Sequence, residues 1–255
     1  MVKGAGGEYY KNLTPEIAEL IGIILGDGCI SPSGHNEVAI TGDLEEEQEY
    51  YNNHVVPLFN RTIAIPLLRK EIKPRAYPSV GVYGIYVFNK KLIKYLTVTM
   101  KLNIKGSVNE IPMEIMKIQK PEIWKALLRG LFDTDGSVYF DKIRGINKRP
   151  KIKFSTASRN LLKQVIDLGN RLGFHFYVNK PYKGKRDKNY NYAIELQRKT
   201  EIQRWFREIG FNNSKHRTKY LFWKLFGFYI PRSTIKQRKE LINSILLRNL
   251  RPQGL

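Results

Sequence analysis

Leu20-Ile21-Gly22-Ile23-Ile24-Leu25-Gly26-Asp27-Gly28 is written a second time in this chain, as Leu128-Arg129-Gly130-Leu131-Phe132-Asp133-Thr134-Asp135-Gly136. The shift from Asp27 to Asp135 is 108 positions. The leucine, the first glycine, the penultimate aspartate and the last glycine agree in both copies. Each copy closes a run that reads as helix, Pro15 to Leu25 and Pro121 to Phe132, and each leads into residues that read as strand. A glycine ending a helix ordinarily takes positive φ without a Cβ clash. Gly22 and Gly26 share one helix face, as do Gly130 and Thr134, and small residues there let another backbone come close. An interior glycine costs about 1 kcal/mol of helix propensity relative to alanine, so two in one turn ask for a packing reason. Packing the two copies on each other supplies it, with Gly22, Gly26, Gly130 and Thr134 at the helix interface.

The same packing sets Asp27 beside Asp135. Each carboxylate faces the negative end of its helix dipole, and each disfavours the other's charge. A divalent cation between them relieves both penalties, and hard carboxylate oxygens suit Mg²⁺. The pair therefore asks for a metal and a phosphate.

These paired segments resemble the dodecapeptide motif of the LAGLIDADG homing endonucleases, in its two-motif, single-chain form. The resemblance spans about Pro15 to about Phe228 and is strongest at the motifs. It implies an α+β fold of two pseudo-symmetric αββαββα halves. Each half would carry a four-stranded antiparallel sheet, and the halves would pack through the motif helices into a DNA-binding saddle. It implies Asp27 and Asp135 as the catalytic, metal-binding acids, with backbone carbonyls of Gly26 and Thr134 added. Mg²⁺ is the implied cofactor, and Mn²⁺ or Ca²⁺ would occupy the same sites. Asp133 has Leu25 as its counterpart and lies two residues from Asp135, on the opposite helix face. It reads as a local polar contact.

At 255 residues the chain has room for two small domains with real cores, and the repeat favours two. The expected boundaries are 1–118 for the first half, 119–230 for the second and 231–255 for a basic helical extension. No segment approaches the ~18 unbroken apolar residues of a membrane helix, and the start lacks a signal-peptide pattern. The single cysteine, Cys29, excludes an intramolecular disulfide, suits a reducing compartment and reads as a small core residue. His35, His54, His175 and His216 are scattered without cysteine pairs, which argues against zinc.

Charge is unevenly divided. Residues 1–118 hold 13 basic and 13 acidic side chains, whereas residues 119–255 hold 31 and 10, the whole net excess of +21. That imbalance favours binding a polyanion, with a steep salt dependence.

Thr14-Pro15-Glu16 reads as the start of the first helix. It follows a loose lead-in over residues 1–12 that contains Gly4, Gly6 and Gly7. Cys29 to Ser31 and Glu37 to Thr41 read as a hairpin, and Asp43 as the cap of a helix to about Leu58. The Glu45-Glu46-Glu47 run reads as a solvent face. Strands are expected near Thr62 to Ile72 and Ser79 to Phe88, joined by the rigid basic turn Lys73 to Pro78. Helices follow over Lys90 to Leu102 and Glu110 to Ile118. In the second half, Ser137 to Lys142 and Lys151 to Ser155 flank a basic loop, Ile143 to Pro150. Leu161 to Leu172 is amphipathic helix. Phe174 to Lys180 and Tyr190 to Gln197 are strands, and Thr200 to Ile209 is helix. Leu221 to Phe228 is an aromatic core segment. Ile235 to Leu250 is a basic amphipathic helix, docked by Ile235, Ile242, Ile245 and Leu246, with Lys236, Arg238 and Lys239 open to a DNA contact or to solvation.

Alternation along Lys151-Ile152-Lys153-Phe154 points Lys151 and Lys153 away from the helices, toward an outer face able to meet DNA. Lys73, Arg75, Arg144, Lys148, Arg149, Lys183, Lys185 and Arg186 are turn and loop candidates for backbone contacts. In the resembling family, basic or amide side chains organise water at the active centre. Lys153 and Gln197 are the candidates for that role.

The leading function is a metal-dependent, site-specific endonuclease. It would act as a monomer on a long asymmetric duplex and leave the short 3′ overhangs that the resemblance implies. Intron-RNA maturase activity and non-cleaving DNA binding use the same surface, and loss of an acid would have favoured the latter. A purely structural reading, in which the motifs only cap two packed helices, is weakened by the second copy. The chain opens on Met and ends in Gln253-Gly254-Leu255, without a splicing nucleophile at the start or a terminal His-Asn. That favours a free-standing or intron-encoded protein over an intein, in a cytoplasmic or organellar intracellular setting. Abundant Lys, Ile and Tyr lean toward a thermophile.

Overall fold

The computed structural model describes residues 10–32, 36–103, 108–185 and 187–250. Residues 1–9 of the glycine-rich lead-in, His35 and Arg186 lie outside the described residues; the end of the lead-in is not loose, since Tyr10–Asn12 form a 3-10 turn with Tyr10 buried. Thr14 caps α1 (Pro15–Asp27) by accepting a hydrogen bond from the Ile17 amide. Then come β1 (Gly28–Ser31) and β2 (Glu37–Asp43). Gln48–Tyr50, Tyr51–Val55, Val56–Phe59 and Asn60–Leu68 run on as one helix, α2, parts of which are wound with π-type turns. β3 (Arg75–Tyr77), β4 (Val82–Phe88) and α3 (Lys90–Lys94 continuing through Tyr95–Thr99) complete the first unit. A short α4 (Met113–Met116) bridges to the second.

The order then repeats: α5 (Pro121–Thr134), β5 (Gly136–Ile143), β6 (Ile146–Thr156), α6 (Arg159–Arg171), β7 (Tyr177–Val178), β8 (Tyr192–Leu196) and α7 (Lys199–Glu208). Two helices follow, α8 (Ser214–Phe226) and α9 (Ile235–Leu250). The sheets are antiparallel, with orders β1-β2-β4-β3 and β5-β6-β8-β7. The fold is therefore α+β, with two four-stranded sheets and the same αββαββα order twice. No helix among the described residues is long and apolar enough to cross a membrane.

α1 and α5 pack almost backbone to backbone. A Cβ on Gly22 would lie 2.3 Å from the Leu127 carbonyl oxygen, and one on Gly130 would lie 2.2 Å from that of Glu19. At Gly26 the same atom would meet the Thr134 hydroxyl at 2.1 Å. Around this contact Leu20, Ile21, Ile24, Leu127, Leu131 and Phe132 are wholly buried. Phe132 stacks on Phe154 and meets Trp205, tying α5 to its sheet and to α7.

Several local expectations are corrected. Gly28 closes α1 in extended backbone, at φ −81, rather than at positive φ. Glycine is needed there because a Cβ would lie 2.2 Å from the Ile24 carbonyl oxygen. Residues 62–68 are helix, not strand: Phe59, Ile63 and Ala64 are buried at helical spacing, despite the β-branched Thr62, Ile63 and Ile65. Arg69 ends that helix in a left-handed conformation, at φ 54. The strand comes later, inside the stretch read as a basic turn. Asn60 holds the connection by bonding both the amide and the carbonyl of Ile72.

Ile143 to Pro150 is not a long loop. Ile143 pairs with Ile146 across Arg144-Gly145, at φ 50 and 81, the geometry of a two-residue type I′ hairpin. Lys148 and Arg149 are thus strand residues. Phe174 to Lys180 contributes only Tyr177–Val178 as strand. Cys29 is exposed on the outer side of β1, not in the core. On α9, Ile242 is buried while Leu246 is 46% exposed, so docking rests on fewer apolar residues than the pattern suggested. Arg238 is fully buried and donates to Thr218 Oγ1, Tyr229 and the Ser233 carbonyl, which removes it from any DNA-facing surface.

Glu19 on α1 joins the halves. It accepts from Arg129 of α5 at 2.5 Å, meets His54 at 2.6 Å and accepts from the Asn212 side-chain Nδ2 at 2.6 Å. Burial alone would raise its pKa, but the His54 and Arg129 bonds and charges outweigh burial and lower it from 4.5 to about 2. A carboxylate with a depressed folded pKa contributes fully above its unfolded pKa and stops contributing as pH falls through the folded value.

Two outcomes are expected in urea unfolding. Gly22→Ala and Gly130→Ala should each cost about 3 kcal/mol, because the added methyl meets rigid backbone. Glu19 should supply about 3 kcal/mol that disappears between pH 4.5 and about 2. Glu19→Gln should remove that part of the acid limb.

Candidate active site and nucleic-acid interface

Asp27 is the last residue of α1, and Asp135 caps α5 by donating its amide to the Leu131 carbonyl. Because the helices touch at Gly22, Gly130, Gly26 and Thr134, these acids end up at adjoining helix ends. A Cβ on Gly26 would lie 3.6 Å from Asp135 Cγ. Thr134 turns its hydroxyl back to the Gly130 carbonyl, so it donates within its own helix. Both acids are half-buried.

Their surroundings differ. Tyr51, on α2, donates its hydroxyl to Asp27 Oδ2 at 2.9 Å. Burial pushes the Asp27 carboxyl well above its usual range; the Glu47 charge adds to this, the Tyr51 bond opposes it, and Asp135 raises it further. Burial alone lifts Asp135 to about 6. Burial disfavours the charge on both adjoining carboxyls, and a divalent cation between them would offset that penalty. Among the described residues no three His, Cys, Asp or Glu side chains converge. An ion here would rest on two carboxylates, completed by backbone carbonyl, water and phosphate oxygens. That donor set suits Mg²⁺, which keeps several waters and binds through one or two carboxylates and substrate phosphate.

Glu47 departs from the sequence reading. Glu45 and Glu46 are exposed, but Glu47 is 5% exposed and points inward. It accepts from the Asp43 amide at 2.8 Å, while Asp43 accepts from the amides of Glu45 and Glu46. This reciprocal turn, spaced much like a capping box, was the available signal. Asn213 and Lys215, from the start of α8, reach Glu47 Oε1 at 2.7 and 3.0 Å.

Asp133 holds that start in place. Fully buried, it accepts from the backbone amides of Asn212 and Asn213, some 80 residues away. It is a long-range clamp rather than a local contact. Burial lifts its pKa to about 8, and the two amides hold it from rising further. Tyr51, Glu47, Asn213 and Lys215 were all missed from sequence, since none belongs to the repeated motif.

The outer faces of the sheets follow from register. In the second sheet, Lys153 lies opposite Ser137 on one side and Glu195 on the other, two residues along β6 from Ser155, whose amide meets the Asp135 carbonyl. Lys151 pairs with Asp141 at 2.9 Å and with Glu195 at 3.5 Å, and Gln197 donates to Glu195 at 2.9 Å. Lys151 and Gln197 are therefore engaged by a carboxylate of their own face. Arg144, Lys148 and Arg149 are exposed along the hairpin. Lys183 and Lys185 are exposed in the next connection, with Lys183 over the Tyr190 ring. Lys73 and Arg75 are exposed beside the first sheet, on a cavity of 570 Å³ that Lys70, Tyr86 and Phe88 also line.

Replacing Asp133 by alanine strands the amides of Asn212 and Asn213. The expected loss is about 3 kcal/mol of unfolding free energy, measured by urea titration.

Comparison with known proteins bears on this arrangement. A family model described as a LAGLIDADG-like domain matches residues 122–210. The replication factor C small subunit of Methanocaldococcus jannaschii is 25% identical over 209 residues, covering 81% of this chain and 10% of that protein. The chain thus spans about a tenth of the curated relative it matches. The crystal structure of I-DmoI in complex with DNA and Mn superposes with a TM-score of 0.52 at 17% identity, covering 77% of this chain and 96% of that one. The complex of I-DmoI with DNA and Ca gives 0.51 at 18%, covering 76% and 88%. At this identity the likeness is one of fold. Residues 122–210 are thus similar to a LAGLIDADG-like domain, and the two-sheet fold is shared with I-DmoI over 77% of the chain.

Proposed function

We propose that this protein is a divalent-metal-dependent endonuclease that hydrolyses both strands of a long, asymmetric duplex DNA site. The observation that carries the reading is the pair of half-buried carboxylates, Asp27 and Asp135, at adjoining ends of two close-packed helices. Similar solved structures are described as a homing endonuclease bound to DNA with Mn or Ca, which supports a polyanionic substrate and a divalent ion.

In this reading Asp27 and Asp135 hold the ions, with the carbonyls of Gly26 and Thr134 nearby. A bound divalent cation supplies an activated water and stabilises charge developing on the phosphate and the leaving oxygen. Tyr51 fixes the orientation of Asp27, and the Glu47–Lys215 pair sets the charge beside it. Lys153 and Gln197 would orient water or phosphate from the second sheet. Lys73, Arg75, Arg144, Lys148, Arg149, Lys151, Lys183, Lys185 and Arg186 would meet the DNA backbone. The 31 basic residues in the second half of the chain would make affinity steeply salt-dependent. The non-identical halves would read a target without two-fold symmetry, as a single chain.

The test is cleavage of a duplex library with Mg²⁺ or chelator, comparing wild type, Asp27→Asn and Asp135→Asn. Metal-dependent product at one site is expected, with at least a ~1,000-fold loss in either variant while binding persists. Binding without cutting by the metal-supplied wild type would overturn the nuclease reading.

A further inference from the structure

The two sheets can be superposed position by position through their registers. Gly28 pairs with Ile40 as Gly136 pairs with Phe154, and Ile40 pairs with Ile85 as Phe154 pairs with Ile194. This equates Lys151 with Glu37, Lys153 with Ala39, Glu195 with Tyr86 and Gln197 with Phe88. It also equates Ser155 with Thr41. Lys151, Lys153, Glu195 and Gln197 on one outer face are thus replaced by Glu37, Ala39, Tyr86 and Phe88 on the other, where Glu37 is the one charged member.

The replacement is physical as well as formal. Val38, Ile40, Ile85 and Val87 are buried against the helices, so Glu37, Ala39, Thr41, Tyr86 and Phe88 face outward. Phe88 is 54% exposed, and Tyr86 is half-buried, its ring centroid 4.4 Å from that of Tyr77. Lys73 and Arg75 stand at the edge of this face, beside the cavity that Tyr86 and Phe88 line. The arrangement is an apolar centre of Ala39, Tyr86 and Phe88, with Lys73 and Arg75 on one side and Glu37 at the end of β2. Cations contact phosphate, while methyl and ring groups in a duplex groove find one apolar feature on the base edges, the thymine C5-methyl.

We infer that the outer face of the first sheet, through Ala39, Thr41, Tyr86 and Phe88, reads thymine methyl groups in the half-site it covers, whereas the second sheet carries charged and amide groups at the equivalent positions. The inference rests on the reading of this chain as a duplex-DNA protein. It goes beyond that reading in naming which half recognises which chemical feature. Base choice in the first half-site is then independent of salt, because no ion is displaced by an apolar contact.

The test uses a duplex recovered by binding from a random library, with deoxyuridine replacing thymidine in one half-site at a time. Deoxyuridine keeps the base pair and removes only the methyl. In the wild type, substitution in one half-site should weaken binding about fourfold per contacted methyl, and substitution in the other should leave it unchanged. Phe88→Gln and Tyr86→Gln, at exposed and half-buried surface positions, should bind more weakly and lose discrimination between the two duplexes. Their dependence of log K on log salt should keep the wild-type slope. Equal wild-type binding to all duplexes, or full discrimination by both variants, would overturn the inference while leaving the nuclease reading intact. A wild type that recovers no duplex at all would overturn both.

Discussion

The approach of α1 to α5 is the constraint on which the rest depends. Gly22 and Gly130 sit on each other's helix backbones with no room for a methyl group, and Gly26 sits on Thr134. That closeness fixes the separation and the level of the helix ends, and with it the placement of Asp27 relative to Asp135. It also anchors the sheets, since β1 and β5 start at Gly28 and Gly136, immediately after these acids. A looser crossing would separate the acids and re-aim both sheets together.

Around this apolar seam the protein has set polar links that differ between the halves. Glu19 ties α1 to Arg129, His54 and Asn212. Asp133 holds the start of α8, whose Asn213 and Lys215 then reach Glu47 beside the first acid. The surroundings of Asp27 are therefore completed by residues following the second repeat. No reciprocal bridge from the first half to Asp135 is seen among the described residues. The unequal setting of the two acids, one hydrogen-bonded by Tyr51 and the other shifted by burial alone, follows from this one-sided arrangement.

What the sequence made legible was whatever repeats or alternates. The two motif helices and the outward lysines of β6 follow from the doubled motif and from alternation, while the αββαββα order is what the family resemblance implies. The misread stretches are those where tertiary packing outvotes local preference. Thr62, Ile63 and Ile65 favour strand as residues, but the burial of Ile63 and Ala64 on α2 keeps them helical. Arg144-Gly145 forms a tight hairpin without the usual Asn or Asp, so the strands around it looked like loop. Glu47 could not be separated from its exposed neighbours Glu45 and Glu46 without knowing that Asn213 and Lys215 would arrive from far along the chain. Asp133 was recognised as distinct from the paired acids, but its partners were too distant to be inferred.

The links from Asn212 and Lys215 back to the first half have a consequence for synthesis. Glu19 and Glu47 find those partners 193 and 168 positions later in the chain. A first half leaving the ribosome can close its sheet and bury α1 only in part, with one side of that helix open and two inward carboxylates met only by His54 and the Asp43 amide. Contacts of such sequence separation slow folding, because a long loop must close before they contribute. Until then, the exposed seam of α1 is an apolar surface open to a wrong neighbour. The two halves resemble each other in form, yet the segment from Asn212 to Lys215 ties them into one unit.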